Sequence, residues 1–219
     1  MSSIPVARQV TPHADPAWQP GVAVCERIVS AVLLLVLSPL LLAGAAMVWL
    51  SSRRTPLIAH KRVGWHGSTL WMLKLRTMWS RDLPPRCSGW IEHVDDPDGP
   101  QAKQERDPRV TSGFARFCRR HSLDEIPQLW HVMRGEMSLV GPRPLTAGEL
   151  QRYYESDAAE LLLHKPGLAG LWQISGRGRL SYAQRRALDL ELVRRRSPGI
   201  YVKILLRTIL EVWRGTNSW

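Results

Sequence analysis

Paired cysteines are what this sequence most clearly lacks. Its three cysteines, Cys25, Cys87 and Cys118, are scattered along 219 residues and share no motif spacing. This argues against a disulfide framework and against a zinc site, and it is compatible with a reducing compartment. Cys25 lies at the edge of an apolar segment and Cys118 lies among arginines, and both are predicted to be inert packing residues.

Acidic residues and lysine are also scarce. The chain has 19 acidic residues against 30 basic ones, a formal net charge of +11, and 25 of the 30 cations are arginine. A guanidinium is a planar fork that binds phosphate oxygens in pairs, so this bias favours phosphate or acidic-lipid partners. Charge alone leaves nucleic acid open as a partner. The length suffices for one sizeable domain, or for a small domain with an anchor.

Charges are missing altogether from the 23 residues 28–50, which are almost all apolar. Such a run is long enough to enter or cross a bilayer and too long for a typical signal-peptide core. Residues 1–21 before it hold four prolines and no net charge, and they are predicted to form a disordered leader. If the run crosses the membrane, Arg53 and Arg54 beyond it place the following domain in the cytoplasm.

The apolar run is divided near its middle by Ser38-Pro39. Pro39 removes a backbone hydrogen bond, so the helix is predicted to kink or break there, and Ser38 is available to satisfy the freed carbonyl. A kinked spanning helix and a re-entrant helix that returns to its own side are both compatible with this pattern.

Beyond residue 52 the composition is that of a basic, soluble domain of the α+β class, predominantly helical. Alternating residues predict short strands at 57–60 and 69–75, and Lys74 and Arg76 share one face of an extended chain. Residues 80–108, with an acidic run, are predicted to be a surface loop. Helices are predicted at 116–137 with an interruption at 121–124, at 146–163, at 181–196 and at 199–215.

Two adjacent carboxylates, Asp124 and Glu125, stand between an arginine cluster and a proline-rich turn. The cluster is Arg116, Arg119 and Arg120, and the turn is Gly141-Pro142-Arg143-Pro144. Because Pro127 lacks an N–H, a helix is predicted to begin just before it, with Asp124 as N-cap and Glu125 in the first turn. The start of a helix stabilises anions, so the pair is either a cap or part of a phosphate site.

Two later segments bear on ligands and on the membrane. Residues 165–177 hold three glycines between Lys165 and Arg177, which suits a backbone close to a ligand and equally a tight structural turn. The helix at 199–215 carries cations on one side and apolar residues around much of the rest, with Trp213 near its end. It is predicted either to lie at a membrane interface or to pack on the core.

Five blocks resemble, in order, signature blocks of the bacterial sugar transferases, the monotopic phosphoglycosyl transferases. They are residues 73–78 (LKLRTM), 107–111 (DPRVT), 122–129 (SLDEIPQL), 134–144 (RGEMSLVGPRP) and 165–168 (KPGL). The resemblance extends from about residue 22 to residue 213, and the chain is similar to the short form that has the catalytic part alone. Two departures are Tyr201, where an acid is common in the family, and Arg196, where an aromatic residue is common.

The resemblance implies an enzyme that transfers a sugar 1-phosphate from a UDP-sugar to polyprenyl phosphate, undecaprenyl phosphate in particular. It implies that Asp124 attacks the phosphorus bonded to the sugar, that UMP leaves, and that the lipid phosphate then attacks the covalent phosphosugar-aspartate. Glu125 matches the family acid that holds Mg²⁺. By matching position, Arg119 and Arg143 are predicted phosphate clamps, with Lys74, Arg76 and Arg177 as further cations of the site. Asp189 matches a recurrent family acid.

Ser38-Pro39 matches the break in the family's re-entrant membrane helix, which implies that both ends of that helix are cytoplasmic. The expected division is a leader (1–21), a re-entrant helix (22–52) and a cytoplasmic catalytic domain (53–219) with a C-terminal amphipathic helix. The expected location is the cytoplasmic face of the bacterial inner membrane, in contact with the bilayer and without nucleic acid. The large basic and apolar surface makes a homodimer on the membrane reasonable.

One alternative function remains open at this point. A non-catalytic, membrane-anchored basic protein that binds nucleic acid or acidic lipid would explain the charge and the apolar segment. It gives no role to Asp124-Glu125 beside Gly141-Pro142-Arg143-Pro144.

Overall fold

The computed structural model describes residues 19–79, 89–97, 110, 112–176 and 180–215. Most of the predicted leader, two stretches of the predicted loop at 80–108, and Arg177 lie outside these residues. Within them the chain is mostly helical with two small sheets, which confirms the predicted α+β class.

The apolar run forms one helix, α1 (Gln19–Ser52), which continues through Pro39. The Ser38 hydroxyl donates to the carbonyl of Leu35 at 2.8 Å. That carbonyl is the one that a residue with an N–H at position 39 would have bonded, so Ser38 replaces the missing bond as predicted. By length and composition α1 is the one described helix that is able to cross a membrane. Whether it crosses or returns stays a prediction.

One stripe of α1 packs against the rest of the protein along nearly its whole length, while the other faces are exposed. The packed residues follow each other at steps of three or four: Val22, Glu26, Ser30, Leu34, Leu37, Leu41, Ala45 and Val48. Residues at such steps share one side of a helix. Exposed apolar residues on the other faces include Ile28, Val32, Leu35, Leu42 and Leu50.

A three-stranded sheet follows α1. Strands β1 (Leu57–Val63) and β2 (Thr69–Leu75) form an antiparallel pair, and β3 (Ile91–Val94) lies parallel to β1 on its other edge. The loop prediction for 80–108 was therefore wrong at β3. The acidic run is part of the reason, because Glu92 pairs with Arg76 and Asp95 pairs with Lys61, which hold β3 against its neighbours.

The segment around the two carboxylates is divided into three short helices. They are α2 (Gly113–Arg120), a 3₁₀ helix (Leu123–Gln128) and α3 (Leu129–Arg134). The interruption was predicted, but Asp124 is not the N-cap: Ser122 holds that place in a left-handed conformation with φ 52°. Asp124 is the second residue of the 3₁₀ helix, and its side chain is therefore left for other contacts. Cys118 on α2 is buried among apolar side chains, which confirms its packing role, whereas Cys25 on α1 is exposed, so the packing prediction was wrong there.

The proline-rich turn lies beside the glycine-rich segment. Strands β4 (Ser138–Val140) and β5 (Gly167–Ala169) pair in parallel, and Gly141 follows β4 directly. A Cβ placed on Gly141 would lie 2.5 Å from the carbonyl oxygen of Lys165 and 2.9 Å from the nitrogen of Gly167. Gly141 and Gly167 must be glycines because the two backbones touch at this point. The glycines of residues 165–177 were predicted to serve either a ligand or a tight structural turn, and at Gly167 the structural explanation holds.

The remaining helices differ from the predictions in two places: one predicted helix is divided, and a short helix at Leu171–Ile174 was not predicted. The helix expected at 146–163 is divided into α4 (Ala147–Tyr153) and α5 (Ala158–Leu162), separated by a short 3₁₀ turn. Tyr154 at the division is buried and donates to Asp189. Helices α6 (Leu171–Ile174), α7 (Tyr182–Arg194) and α8 (Pro198–Arg214) complete the chain, and α7 and α8 lie where the sequence predicts helices.

Candidate active site

Asp124 lies in the 3₁₀ helix that packs on the sheet, and the residue is 8% exposed. Ile126 two residues on packs into the main core with Leu70 and Met72 of β2, which fixes this helix against the sheet. Lys74 stands on the same face of β2, and its Nζ lies 2.7 Å from Oε1 of Glu125. The structure therefore brings together three predicted site residues, Lys74, Asp124 and Glu125.

Opposing effects act on the Asp124 carboxyl. Burial, and secondarily the charge of Glu125, raises its pKa to about 6. Lys74, Arg119 and a backbone N–H act in the other direction. Arg119, at the end of α2, is one of the cations that act on the Asp124 carboxyl, and its role as a phosphate clamp stays a prediction. The result is a buried carboxylate that two cations keep available in its charged form, which is what a nucleophile attacking phosphorus requires.

Arg76 does not join this group directly. Its side chain is buried, its Nε donates to the carbonyl of Thr55 at 2.7 Å, and its guanidinium pairs with Glu92 of β3. These contacts connect the end of β2 to β3, so the structure gives Arg76 a part in holding the sheet. Its predicted electrostatic role at the site stays a prediction.

Arg143 belongs to a second cluster. One of its terminal nitrogens lies 3.7 Å from the buried Glu149, and its backbone N–H donates to Asp189 at 3.3 Å. Asp189 also accepts from Tyr154 at 2.7 Å, and burial raises its pKa to about 6. The guanidinium carbon of Arg143 lies 5.0 Å from the ring centre of Trp172. The family acid Asp189 thus fixes the backbone that carries Arg143.

Two residues between the clusters were not singled out from the sequence. His60 and Arg62 stand on the face of β1 that also carries Lys74 in the paired strand. Burial, helped by Arg62, Lys74 and Arg76, lowers the pKa of His60 to about 4, so its imidazole is neutral. Burial and Arg143 lower the pKa of Arg62, while Glu149 raises it. The two residues are two positions apart in a predicted strand, which indicated that they share a face. Only the pairing register of β1 with β2 shows that this face also carries Lys74.

Among the described residues no group of three or more histidine, cysteine or acidic side chains stands ready to hold a metal ion. This does not conflict with Mg²⁺, which is often held by one or two carboxylates together with substrate phosphates. Asp124 and Glu125 are adjacent carboxylates whose mutual repulsion a cation would offset, so the residues present fit such an ion.

Comparison with known proteins gives this geometry a context. The profile described as "Bacterial sugar transferase" matches residues 21–215. The chain belongs to the bacterial sugar transferase family. This confirms the resemblance found in the sequence and the prediction of an enzyme, and it disfavours the alternative of a non-catalytic basic protein.

Named relatives within this family agree with the match. The chain is 39% identical over 194 residues to "Exopolysaccharide production protein ExoY" of Rhizobium meliloti (strain 1021), covering 88% of this chain and 85% of that protein. It is 36% identical over 204 residues to "UDP-glucose:undecaprenyl-phosphate glucose-1-phosphate transferase" of Caulobacter vibrioides, covering 90% and 71%. It is 35% identical over 205 residues to "Undecaprenyl-phosphate galactose phosphotransferase" of Salmonella typhimurium, covering 88% and 40%.

Proposed function

We propose that this sugar transferase moves a sugar 1-phosphate from a UDP-sugar to a polyprenyl phosphate, undecaprenyl phosphate in particular, and releases UMP. The observation that carries the proposal is the buried Asp124 carboxylate held near Lys74, Glu125 and Arg119. Relatives named for undecaprenyl-phosphate sugar transfer support the substrate class. The product would begin the membrane stage of a polysaccharide or glycoconjugate.

The reaction is proposed to proceed in two displacements at phosphorus. An Asp124 oxygen forms a bond to the phosphorus that carries the sugar, and the bond from that phosphorus to the UMP oxygen breaks. An oxygen of the polyprenyl phosphate then attacks the same phosphorus, and the bond to Asp124 breaks. A covalent intermediate of this kind lets UMP leave before the lipid phosphate reacts.

The charges at the site suit this chemistry. Attack of a carboxylate on a diphosphate brings like charges together, so cations that contact phosphate oxygens lower the barrier. Lys74 and Arg119 are the cations whose charges favour the ionised form of Asp124, so both are candidates to contact the phosphate. Lys74 is paired with Glu125, so this pair would loosen if Lys74 contacts a phosphate oxygen.

Mg²⁺ is the proposed cofactor, with Glu125 as its main ligand and Asp124 beside it. A bound Mg²⁺ would supply positive charge to the phosphate oxygens. The carboxylates fit the hard oxygen ligands that this ion prefers, and the substrate phosphates would supply further ones.

The proposed location is the cytoplasmic face of the bacterial inner membrane. Exposed apolar residues on α1 and on the outer face of α8, among them Leu206, Ile209 and Trp213, support contact with a bilayer. Polyprenyl phosphate is held in that bilayer, so α1 would bring the catalytic residues to the lipid. A homodimer on the membrane is part of the proposal.

The direct test is UMP release from a panel of UDP-sugars by the full-length protein in detergent with undecaprenyl phosphate and Mg²⁺. We expect release with at least one donor and none after chelation of the metal. No release with any donor would count against the reaction. Without the lipid acceptor, intact-protein mass should rise by one sugar phosphate while about one UMP per chain is released.

Asp124→Asn tests the nucleophile. Its amide cannot form the covalent intermediate, so we expect turnover to fall by about three orders of magnitude or more and the mass increase to vanish. Asp95→Asn is the matched control, because Asp95 pairs with Lys61 on the exposed side of the sheet. Full turnover by Asp124→Asn would exclude Asp124 as nucleophile even if the reaction itself is correct.

A further inference from the structure

Two arginines lie against one tryptophan at some distance along the chain from Asp124. The guanidinium carbon of Arg143 lies 5.0 Å from the ring centre of Trp172, and that of Arg185 lies 5.5 Å from the same ring. Arg185 also lies 5.2 Å from the ring centre of Tyr182. Both distances to Trp172 are within the range of cation–π attraction, so this ring holds two positive groups in place. We call Arg143, Trp172 and Arg185 the double-arginine stack.

The stack contains three buried hydrogen-bond donors whose acceptors are missing from the described part of the chain. They are Nε of Arg143, Nε of Arg185 and the indole nitrogen of Trp172. A buried donor without an acceptor is costly, and native structures hold few of them. Three such donors at one ring are typical of a site whose acceptors are supplied by a ligand.

The charges of the stack also call for an anion. Arg143 and Arg185 repel each other, and burial together with Arg143 lowers the pKa of Arg185. The buried Glu149 faces Arg143, but its oxygens also accept from the N–H of Thr146 and from Tyr182. Both oxygens of Asp189 are similarly engaged with Tyr154 and with the backbone of Arg143. Both acids therefore have partners of their own, and among the described contacts neither accepts from the three buried donors of the stack.

The stack and Asp124 stand on different elements. Asp124 is on the 3₁₀ helix, where α1 packs with Leu75, Cys118 and Leu123. Trp172 and Arg185 stand on α6 and α7, which pack against each other. Between them on β1, Lys74 acts on the charge of His60 and Arg143 acts on that of Arg62. The stack is therefore suited to a phosphate of the donor other than the one that Asp124 attacks.

We propose that Arg143, Trp172 and Arg185 form the subsite that binds the phosphate of the departing nucleoside monophosphate. The proposal rests on the proposed function for the identity of that nucleotide. Arg185 is assigned as a phosphate-binding residue, and Trp172 as the platform that holds both guanidiniums against their repulsion.

The experiment measures UMP affinity of the full-length protein in nanodiscs by calorimetry, with uridine, inorganic phosphate and undecaprenyl phosphate as further probes. Arg185→Met keeps the alkyl stem and removes the charge, and Arg185→Lys keeps the charge and removes the fork. Arg186→Met is the matched control, since Arg186 is its neighbour on α7 and pairs with Asp157 instead.

We expect Arg185→Met to weaken UMP binding about tenfold to a hundredfold, as loss of a charge-assisted hydrogen bond would. Arg185→Lys should recover part of this loss, and Arg186→Met should bind UMP like the parent. Uridine affinity should be the same in parent and Arg185→Met, which also shows that the variant is folded. Inorganic phosphate should compete with UMP less well in Arg185→Met than in the parent.

Unchanged UMP affinity in Arg185→Met overturns the proposal. So does a loss confined to undecaprenyl phosphate, because the subsite would then serve the acceptor. The test of the subsite can fail or succeed independently of the test of sugar-phosphate transfer. Arg185-dependent UMP binding without sugar-phosphate transfer supports the subsite and rejects the proposed function, whereas transfer with unaltered UMP binding in Arg185→Met does the reverse.

Discussion

Burial and charge act against each other at the individual carboxyl groups of this protein. Asp124 and Asp189 are both buried, and burial raises the pKa of each to about 6. Asp124 has Lys74 and Arg119 beside it, which favour the charged form needed for attack. Asp189 accepts hydrogen bonds from Tyr154 and from the backbone of Arg143. One carboxyl is thus the proposed nucleophile, and the other supports the backbone of Arg143.

Asp189 gives a prediction for stability against pH. Its pKa is about 6 in the fold and about 3.9 when unfolded, so between these values the folded state binds more protons. Its contribution to stability therefore falls as pH rises through this window and is constant above it. Asp189→Asn removes the buried charge: its amide oxygen still accepts from the Arg143 N–H, and its NH2 group donates to the Tyr154 hydroxyl, which then accepts instead of donating. We expect the stability of this variant relative to the parent to rise as pH increases from about 4 to about 6 and to stay constant above that, measured by thermal unfolding in detergent.

Asp189→Ala is the contrasting variant. It leaves the Tyr154 hydroxyl and the Arg143 N–H without an acceptor in the core, so we expect a loss of about 2 to 4 kcal/mol across the same pH range. Other titrating groups contribute equally to the parent and to each variant, so their contributions cancel when the two free energies of unfolding are subtracted. A difference between parent and Asp189→Asn that does not change with pH would mean that Asp189 ionises at its ordinary pKa.

For single residues, the sequence predicted which side chains belong to the candidate site better than it predicted the contacts that those side chains make. Asp124, Glu125 and Lys74 were named before the structure, and the structure brings them together, with Arg119 acting on the charge of Asp124. The N-cap role of Asp124 was wrong, because the left-handed Ser122 begins the 3₁₀ helix and no local pattern marks that conformation. The stack was missed as well. Trp172 and Arg185 lie on different helices, and their meeting depends on how α6 packs on α7.

Among the elements, the contact of α1 with β4 and α8 is held by a single buried carboxylate. Oε1 of Glu26 accepts from the Ser138 hydroxyl at 2.6 Å, the N–H of Leu139 at 2.9 Å and the Tyr201 hydroxyl at 2.6 Å. Tyr201 stands where the family commonly has an acid. Here a donor faces the acid of α1, so the exchange keeps this contact satisfied rather than placing two carboxylates together.

Removing these partners should destabilise the contact in a graded way. Tyr201→Phe removes one hydrogen bond to a charged group, and we expect a loss of about 1.5 to 3 kcal/mol. Glu26→Ala should cost more, because three donors lose their acceptor. The double variant should lose less than the sum, since both changes break the same bond. The measurement is unfolding of the detergent-solubilised protein followed by tryptophan fluorescence.

Tyr153→Phe serves as the control for loss of a tyrosine hydroxyl. Tyr153 is partly exposed, and the described contacts give it a ring stack on Tyr182 but no hydrogen bond. Its removal should change stability by less than about 0.5 kcal/mol. If Tyr201→Phe were equally mild, or if the losses from Glu26 and Tyr201 simply added, Glu26 would not be the shared acceptor that joins these elements.

Elements with strong local signals were predictable, and those that depend on pairing were not. Helices α7 and α8 begin at Ser181 and Ser197, whose side chains cap them, and the sequence placed both. Strand β3 is only four residues long and is held by pairing with β1 and by ion pairs, so its segment resembled a loop. The division between α4 and α5 follows from the burial of Tyr154 against Asp189, which is a tertiary contact.

For the whole molecule, the main consequence is how α1 lies on the catalytic domain. Near its start Glu26 bonds to β4 and α8, and near its end Val48 packs with Leu75 and Cys118. A helix packed along its length in this way would draw the domain into the hydrocarbon if it crossed the bilayer. Loops and sheet edges of the domain would then lose the water that satisfies them. The packing therefore favours both ends of α1 on one side.

Thiol labelling tests this arrangement. We expect Ser2→Cys and Asn217→Cys, each in a background with Cys25, Cys87 and Cys118 replaced by serine, to react with an impermeant reagent from the same side. Both should react in sealed inverted membrane vesicles, and neither in intact spheroplasts until these are permeabilised. A membrane protein with a known periplasmic cysteine is the control for vesicle orientation. Labelling from opposite sides would mean that α1 crosses the bilayer, and the stripe from Val22 to Val48 could not then remain packed on a cytoplasmic domain.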